Sequence, residues 1–472
     1  MDKDLFAKIA AIVGREHCST SVEDLHCYSY DGSKQCFLPE AVAMPDSTAQ
    51  VSALLKLANH YEFPVVARGA GSGMTGGALP IAGGLVIACS RLNRILEIDP
   101  DNQIAIVQPG VITGEFQQTL KKYKLFYPPD PASLKFCTLG GNAAECAGGP
   151  SAIKYGVTKD SIIGLEVVLA GGDILTTGTR TEKGVVGYDL TRLFIGSEGT
   201  LGIITKIVTR LQPLPEWKET FLLQSTSLQK TTELVAKILQ NNILPCTLEY
   251  LDRTALRIVS HLLPQTPGED IQAMLIIEID GSRDHVRDMA DRLQILTRKE
   301  SHCTLKQATS EGDIKEIWLA RRSISPACFK LSPTKTSEDV VVPRTRIPDL
   351  VHFCEALSQR LELTILTFGH AGDGNIHVNI MTGNGAPREI TNATEAKKEL
   401  FEEVIRLGGT LSGEHGVGIT KSSYLSLELD ATTLGVMRSI KKLFDPKNIL
   451  NPGKIFPDAT KNNNSHFSRK SH

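Results

Sequence analysis

The sequence predicts an α+β protein in which two glycine-rich segments flank a glycine-poor block. Strands and helices alternate from about residue 40, and a β-α-β-β-α order follows residue 215. The chain has 472 residues, a length typical of about three domains. Its 40 glycines are unevenly distributed: residues 51–200 hold 22, residues 215–365 hold 3 and residues 369–418 hold 10. Because glycine is favoured where the backbone needs a positive φ or closely approaches another group, the two rich segments are the candidate functional regions.

The composition excludes several classes of protein. A net charge of −2 with interspersed signs argues against nucleic acid as a main partner. No apolar run approaches the ~20 residues that span a bilayer, and the spacing from Leu5 to Val13 predicts a surface helix rather than a signal peptide. The 10 cysteines include no CxxC pair, and Cys18, Cys27 and Cys36 fit neither iron–sulfur nor zinc-ribbon spacing. We therefore expect reduced thiols in a cytoplasmic protein that reaches the inner face of the membrane only through a partner.

The first half of the chain is predicted to contain short strands and two helices. Ser47 and Gln50 form a capping box for the first helix, and Thr113 is expected to cap the second. A hairpin is predicted at Glu166–Leu175, where two β-rich runs flank a Gly-Gly-Asp turn. The other predicted strands are Ala41–Met44, Pro64–Ala67, Leu85–Cys89, Ile95–Ile98, Ile104–Val107 and Leu201–Leu211.

The composition changes at Pro213–Pro215, where a second unit is predicted to begin. Its predicted elements are strands at Phe221–Leu223, Thr247–Leu251 and Met274–Ile279 and helices ending near Gln240 and Arg298. This order favours a two-layer domain with a mostly antiparallel sheet. The predicted organisation has five segments: a helical segment at 1–37, then 38–214, 215–425 and 426–458, and an Asn-, Ser- and Lys-rich disordered tail at 459–472.

The first glycine-rich loop, Arg68–Gly77, directly follows the predicted strand Pro64–Ala67. It contains a GxGxxG match, but a dinucleotide-binding fingerprint must open a helix, and Pro80, Gly83 and Gly84 prevent one here. What remains is a strand followed by consecutive backbone N–H groups, an anion-binding nest that suits a pyrophosphate. The alternative is a tight surface loop.

Further loops favour the pyrophosphate interpretation. They are Pro128–Ser133, the cluster Gly140–Gly156 and the loop Gly196–Ile203. Several such loops set among strands imply a large cofactor that lies along a sheet edge. In order and spacing, these segments resemble the FAD-binding domain of the vanillyl-alcohol oxidase-like flavoproteins, the PCMH-type fold, over residues 38–214.

This resemblance implies a role for each loop. Arg68–Gly77 would hold the pyrophosphate, Gly140–Asn142 and Gly148–Gly149 would line the isoalloxazine, and Ile203 would contact the adenine-ribose side. The implied FAD-binding residues are Arg68, Gly69, Ala70, Gly71, Ser72, Gly73, Gly76, Gly77, Pro129, Asp130, Gly140, Gly141, Asn142, Cys146, Gly148, Gly149, Tyr155, Gly156, Glu198, Gly199 and Ile203. Members with covalent flavin usually carry a histidine in or just before the first loop. This loop has none, so we predict non-covalent FAD.

The second glycine-rich segment carries candidate metal ligands. Alternation over residues 375–380 places His377 and Asn379 on one side of a strand, with His370 just before the turn that leads into it. Two imidazoles and the carboxylate of Glu414 would make a three-ligand site with open positions, as in catalytic metal centres. His415, next to Glu414, can serve as a base beside the metal. Taken singly, each histidine would more often be a structural or surface residue.

Together with the FAD segment, these residues resemble the FAD-linked D-2-hydroxyacid dehydrogenases over about residues 38–456. The resemblance implies that His370, His377 and Glu414 bind Zn²⁺ or Mn²⁺ and that His415 is the catalytic base. It also implies a ferredoxin-like α+β substrate (cap) domain at 215–425 that carries the metal. The segment 426–458 would then return to the FAD domain. In this family Asn379 would help to hold the substrate, and Asn451 would contact the flavin.

The segment Ile317–Ser325 matches the part of this family whose arginine binds the substrate carboxylate. We assign that role to Arg321, since a guanidinium fork binds a carboxylate bidentately. The alternative is a solvated arginine on a helix. Ser325, one helical turn later, is a weaker candidate for substrate contact, as is Lys335, because the sequence around it aligns imperfectly with the family.

The expected activity is oxidation of a small D-2-hydroxyacid, D-lactate or glycolate, to the 2-oxo acid with hydride transfer to flavin N5. Alternatives are a larger acid such as D-2-hydroxyglutarate, an alkyl glycerol ether, or a non-catalytic flavin-binding subunit of an oxidase complex. Because the chain has no iron–sulfur spacing and no membrane segment, we expect an electron-accepting partner, either an iron–sulfur subunit or an electron-transfer flavoprotein.

Overall fold

The computed structural model describes residues 1–383 and 386–456, and the tail predicted at 459–472 lies outside these residues. The strands form two regions of sheet. Those of the first region are β1 (Cys18–Ser19), β2 (Ala41–Ala43), β3 (Val65–Arg68), β4 (Leu85–Ala88), β5 (Ile95–Asp99), β6 (Ile104–Val107), β7 (Leu125–Phe126), β8 (Ile162–Val168), β9 (Ile174–Gly178), β10 (Ile203–Arg210) and β11 (Gln212–Pro213). Those of the second are β12 (Trp217–Ser225), β13 (Thr247–Asp252), β14 (Ala273–Gly281), β15 (Cys303–Ala308), β16 (Thr334–Val341), β17 (Thr364–His370) and β18 (Asn375–Thr382).

Helices cover these sheets in both regions. In the first region they are α1 (Lys3–Val13), α2 (Val22–Cys27), α3 (Thr48–Tyr61), α4 (Thr113–Leu120), α5 (Leu139–Glu145), α6 (Ala152–Tyr155), α7 (Thr158–Ser161) and α8 (Leu190–Phe194). In the rest of the chain they are α9 (Leu228–Gln240), α10 (Arg253–Val259), α11 (Arg283–Thr297), α12 (Glu311–Ala327), α13 (Ile347–Leu361), α14 (Pro387–Arg406), α15 (Leu425–Glu428) and α16 (Ala431–Phe444).

The first region consists mainly of two sheets. A four-stranded sheet has the order β1-β2-β4-β3, with β2 and β3 both parallel to β4. A five-stranded antiparallel sheet has the order β5-β6-β10-β8-β9. The predicted hairpin is confirmed, because β8 and β9 pair on either side of a turn in which Gly172 has a φ of +87°.

The two predicted helix caps have different outcomes. Ser47 caps α3 as predicted, since its side chain accepts a hydrogen bond from the backbone N–H of Gln50. The prediction for Thr113 is wrong: α4 begins at Thr113, and Ile112 occupies the capping position. The physical reason is that the Thr113 hydroxyl oxygen is already used, since it accepts a hydrogen bond from the Asn142 side-chain amide at 2.8 Å.

The second region is built on one seven-stranded antiparallel sheet in the order β15-β12-β14-β13-β17-β18-β16. Its first four strands and the helices α9 and α11 follow the order β-α-β-β-α-β, and the neighbouring strands are β15-β12-β14-β13. This confirms the ferredoxin-like expectation. The remaining strands extend that sheet beyond β13, because β13 pairs with β17 and β17 pairs with β18. A single continuous surface therefore carries residues from β13, β16, β17 and β18.

The structure can be compared with two expectations from the sequence, which concern membrane-spanning segments and cysteines. Across residues 1–383 and 386–456, no helix is both long and apolar enough to cross a membrane. All ten cysteines fall within the described residues and are free thiols, in agreement with the lack of CxxC pairs.

The segment after α16 returns to the first region. The backbone of Val65 on β3 donates to the Ile449 carbonyl and accepts from the Asn451 N–H, each at 2.8 Å. The buried Asn451 side-chain amide donates to the carbonyls of Gly77 and Glu198 at 2.8 and 2.7 Å. One side chain thus joins the C-terminal segment to two of the glycine-rich loops.

We expect Asn451→Ala to lower the free energy of unfolding by about 2 kcal/mol, because it leaves two buried carbonyls without donors. Urea denaturation followed by circular dichroism measures this loss. Asn102→Ala is the matched control, since Asn102 is exposed and, among the described residues, its side-chain amide binds Asp99 alone. A loss at Asn451 no larger than that of the control would contradict the role of this residue.

Candidate active site

A cavity of about 750 Å³ lies between the glycine-rich loops of the first region and one face of the seven-stranded sheet. This volume is in the upper part of the range for ligand and cofactor sites. Most of the predicted site residues line it: Arg68, Gly69, Ala70, Gly71, Ser72, Gly73, Gly77, Asp130, Gly140, Gly141, Asn142, Glu198, Gly199, Ile203, Arg321, Ser325, His370, His377, Asn379, Glu414 and His415. The two glycine-rich segments therefore meet at one cavity.

The other predicted site residues do not line this cavity: Gly76, Pro129, Cys146, Gly148, Gly149, Tyr155, Gly156, Lys335 and Asn451. Tyr155 donates its hydroxyl hydrogen to the carboxylate of Asp280, 2.9 Å away, and so ties α6 to β14. Cys146 ends α5 and packs against a hydrophobic core. Gly148 lies against Glu414, a metal-ligand candidate, because a Cβ at Gly148 would come within 2.8 Å of the Glu414 carboxylate.

The first glycine-rich loop has the geometry of an anion site. Nothing helical follows it within residues 69–84, as its glycines predict. At Gly69 a Cβ would lie 2.3 Å from the Thr138 hydroxyl oxygen, so a side chain is excluded there. Arg68 donates through Nη2 to the Tyr30 carbonyl at 2.7 Å, whereas its buried Nη1 has no partner among the described residues. A buried cation with an unpaired donor at the cavity wall fits the pyrophosphate of FAD.

Two glutamates, the buried Glu198 and the half-buried Glu145, connect this loop to the second glycine-rich segment. Glu198 accepts hydrogen bonds from the backbone N–H groups of Val417 and Gly418, both at 2.7 Å. Glu145 lies beside Gly416, where a Cβ would come within 2.1 Å of its carboxyl oxygen. Burial and the neighbouring charge of Glu198 raise the pKa of Glu145 well above its ordinary value. Glu145 was not predicted, although it lies within the Gly140–Gly149 cluster.

The candidate metal ligands come from two adjacent strands and one loop. His370 ends β17, His377 lies on β18, and Glu414 lies in the loop after α14. Glu414 Oε1 is 3.2 Å from His370 Nε2 and 3.6 Å from His377 Nε2, and one ligand atom from each residue falls within a 4.8 Å cluster. Burial and the charge of His370 lower the pKa of His377 to about 3. Two imidazoles and one carboxylate fit a catalytic Zn²⁺ or Mn²⁺ site.

Two buried carboxylates that sequence reasoning missed support these groups. Asp339 on β16 accepts hydrogen bonds from the backbone N–H groups of Gly413, Glu414 and His415 at 2.9, 2.8 and 3.2 Å. Its Oδ1 is also 3.3 Å from Nδ1 of the His415 ring. Burial alone would raise the pKa of Asp339, but the charges of His415 and Lys421 hold it well below its ordinary value.

The second missed carboxylate, Glu249 on β13, lies between two predicted residues. Its Oε1 is 2.5 Å from His370 Nδ1, and its Oε2 accepts a hydrogen bond from Arg321 Nε at 2.5 Å. Burial opposes its ionisation, but the charges of Arg321 and His370 outweigh burial and lower the pKa of Glu249 to about 2. The one sequence signal for Glu249 or Asp339 is a carboxylate inside a buried strand, where acidic residues are rare unless paired.

Of the predicted substrate residues, Arg321, Ser325 and Asn379 line the cavity, whereas Lys335 does not. Arg321 on α12 lies 5.0 Å from the ring centre of Phe368, and Asn379 accepts a hydrogen bond from the Ser337 hydroxyl at 2.6 Å. Lys335 instead donates to the hydroxyl oxygen of Ser325 at 2.6 Å and lies behind the cavity wall. Burial lowers the pKa of Lys335.

Sequence reasoning also missed part of the cavity wall around α12. Trp318 donates its indole N–H to Glu278 at 2.8 Å, and Lys218 donates to the other oxygen of this carboxylate at 3.0 Å. Arg322, on the same helix, lies 5.7 Å from the Trp318 ring centre and lines the cavity. These residues come from β12, β14 and α12, so no short motif contains them.

Comparison with protein families shows which family the chain belongs to. The family "FAD linked oxidases, C-terminal domain" matches residues 214–455, slightly more than half of the chain, and "FAD binding domain" matches residues 39–178. The chain belongs to the FAD-linked oxidase family. It is therefore an FAD-binding oxidoreductase, as predicted.

Relatives of this FAD-linked oxidase agree with the assignment. The glycolate oxidase subunit GlcD of Bacillus subtilis is 41% identical over 97% of this chain and 98% of its own length. The D-lactate dehydrogenase of Anaerostipes hadrus is 32% identical over 88% of this chain and 89% of its own. The structure of p-cresol methylhydroxylase with substrate bound has a TM-score of 0.82 at 18% identity and covers 98% of this chain and 99% of its own. That likeness confirms the predicted fold.

We expect FAD in this oxidase to be released when the protein is denatured, because the loop Gly69–Gly77 offers no histidine for covalent attachment. Acid precipitation should leave all of the flavin absorbance in the supernatant. A denaturing gel viewed under ultraviolet light should show no fluorescence in the protein band. A fluorescent band would overturn this expectation.

Proposed function

We propose that the chain oxidises a small D-2-hydroxyacid, D-lactate or glycolate, to the 2-oxo acid. One observation carries the proposal: a His-His-Glu cluster, an adjacent histidine and a buried arginine share a cavity with the FAD loops. The relatives named glycolate oxidase subunit and D-lactate dehydrogenase support this substrate class. Residues 38–214 would bind FAD, and residues 215–425 would bind the metal and the substrate.

The proposed metal is Zn²⁺ or Mn²⁺, held by His370, His377 and Glu414. When bound, the metal would lower the pKa of a coordinated substrate hydroxyl, and FAD would accept the hydride from the adjacent carbon. The two ligand histidines lie on neighbouring strands of one sheet, and β17 and β18 pair continuously from the Thr364–Met381 pair to the His370–Asn375 pair. The strands therefore fix the spacing of two ligands before any metal binds.

Arg321 is the proposed partner of the substrate carboxylate. Its Nε is bound by Glu249, which leaves the two Nη groups for a bidentate pair with a carboxylate. No acceptor binds these Nη groups among residues 1–383 and 386–456. A carboxylate held there and a hydroxyl held at the metal would fix the hydrogen of the intervening carbon in one orientation.

His415 is the proposed base that takes the hydroxyl proton. Asp339 lies at its Nδ1, which leaves Nε2 as the ring nitrogen that can accept a proton. Nε2 is 3.9 Å from Glu414 Oε1, so it lies next to the proposed metal site. The side chain is 25% exposed, in contrast to the buried ligand histidines, and so can be reached by substrate from the cavity.

We propose an electron-accepting partner, an iron–sulfur subunit or an electron-transfer flavoprotein, which would also be the protein's contact with the inner face of the membrane. The word "subunit" in the name of the Bacillus subtilis relative supports such an assembly.

A second candidate substrate is a larger acid such as D-2-hydroxyglutarate. One observation favours it: Lys218 and Arg322 also line the cavity, so a second carboxylate could meet a positive charge. Lys218 is already paired with Glu278, which makes this candidate weaker.

Anaerobic mixing with a panel of 2-hydroxyacids tests the proposed activity. We expect D-lactate or glycolate to bleach the visible absorbance of bound FAD and L-lactate to leave it unchanged. Removal of the metal with a chelator should slow bleaching by about 100-fold or more, since a metal supplies several kcal/mol of charge stabilisation. Restoration by added Zn²⁺ or Mn²⁺ is the control.

Three results would change this account. Preferential bleaching by D-2-hydroxyglutarate would select the second candidate. Bleaching that is unaffected by the chelator would remove the metal from the mechanism. A flavin that no hydroxyacid reduces would contradict the proposed function as a whole.

A further inference from the structure

Glu249 connects two functions that the proposed mechanism treats separately. Its side chain is fully buried, at 0% exposure, in the middle of the seven-stranded sheet. One carboxylate oxygen contacts the metal-ligand candidate His370, and the other contacts Arg321, the candidate for binding the substrate carboxylate. Both contacts are 2.5 Å long, so each oxygen has one close partner.

The backbone holds Glu249 in this place. The register pairs Tyr250 of β13 with Gly369 of β17 and Leu251 with Phe368, which brings Glu249 beside His370. All six residues of β13 are buried, and the strand is bordered by β14 and β17. A side chain on such a strand has little freedom to move.

We propose that Glu249 is a shared positioning residue, which aims His370 at the metal and Arg321 at the substrate carboxylate. The inference deepens the proposed function and rests on it. A carboxylate at Nδ1 leaves the lone pair of His370 Nε2 directed at Glu414 and the metal position, as in carboxylate–histidine–metal triads. The same carboxylate holds Arg321 by Nε alone, which keeps the forked Nη face available for substrate.

The shared carboxylate also explains the relative placement of the two functions. Because one rigid residue contacts both His370 and Arg321, the metal position and the guanidinium are neighbours in the cavity wall. A substrate whose hydroxyl and carboxylate are attached to the same carbon suits this short spacing. Glu249 thus sets the geometry that a 2-hydroxyacid requires, without touching the substrate itself.

The variant Glu249→Gln tests this role, because glutamine keeps the shape but can accept a hydrogen bond through only one of its two terminal atoms. We expect the dissociation constant for Zn²⁺ or Mn²⁺ to rise by about 10- to 100-fold. We also expect KM for the hydroxyacid to rise by about 10-fold or more, because Arg321 loses a charged partner. The FAD content should remain that of the wild-type protein.

Asp252→Asn is the matched control. Asp252 is a buried carboxylate on the same strand, but it accepts hydrogen bonds from the backbone N–H groups of Ala255 and Thr367 and does not line the cavity. Its loss should lower stability and leave the metal dissociation constant and KM at wild-type values. If both constants change in Glu249→Gln and neither changes in Asp252→Asn, the effect of Glu249 is one of positioning and not of general destabilisation.

The two constants are measured separately so that each hypothesis can fail by itself. Metal binding is followed by titrating FAD-loaded, metal-stripped chain with Zn²⁺ or Mn²⁺ in the absence of substrate, and KM by anaerobic flavin reduction. Equal metal affinity in wild type and Glu249→Gln would overturn this inference and leave the proposed function standing. A wild-type chain that binds no metal would overturn this inference and the metal's part in the proposed function. A weakened metal site with an unchanged KM would overturn the shared role.

A second variant covers the case in which Glu249→Gln does not fold. The double variant Glu249→Gln/Arg321→Gln removes both charges of the buried pair, which costs less than leaving one charge unpaired. We expect the same 10- to 100-fold loss of metal affinity, since His370 is still without its carboxylate. Wild-type metal affinity in the double variant would overturn the inference.

Discussion

Two buried carboxylates from opposite sides of the cavity hold the loop that carries Glu414 and His415. Asp339, on the seven-stranded sheet, accepts three successive backbone N–H groups from Gly413 to His415. Glu198, from the first region, accepts the N–H groups of residues 417 and 418. Because the pKa of Asp339 is held well below its ordinary value, its three hydrogen bonds are made to a charged acceptor and are about twice as strong as neutral ones. Together with the two bonds to Glu198, they fix the loop. The positions of the metal-ligand candidate and the proposed base relative to the glycine-rich loops of the first region depend on them.

The same interface explains why glycine is concentrated in two segments. Gly77 of the first segment and Gly416 of the second both lie against Glu145, where a Cβ would come within 2.3 and 2.1 Å of its carboxyl oxygens. Gly148 lies similarly close to Glu414. These glycines let the backbones of both segments approach the half-buried Glu145 side chain, so they serve the contact between the two regions. The central block needs few glycines because it consists of packed strands and helices.

The sequence predicted the parts of the site that lie in short motifs. The glycine loops, the two histidines of β17 and β18 and the Glu-His pair could be found because alternation and spacing are local properties. Glu249 and Asp339 could not, since their contacts depend on a sheet register that joins strands far apart in sequence. Tyr155 was expected at the cofactor but binds Asp280, since a tyrosine hydroxyl takes whichever acceptor the tertiary fold supplies.

The central claim is that the loop held by Asp339 and Glu198 places a base, His415, beside the proposed metal site. Single-turnover flavin reduction in His415→Ala tests this claim most directly. The account predicts that the rate of anaerobic flavin reduction by substrate falls by about 10²- to 10⁴-fold while the FAD content is unchanged. His285→Ala, at an exposed position on α11, is the control and should retain the wild-type rate. A wild-type rate of flavin reduction in His415→Ala would contradict the account.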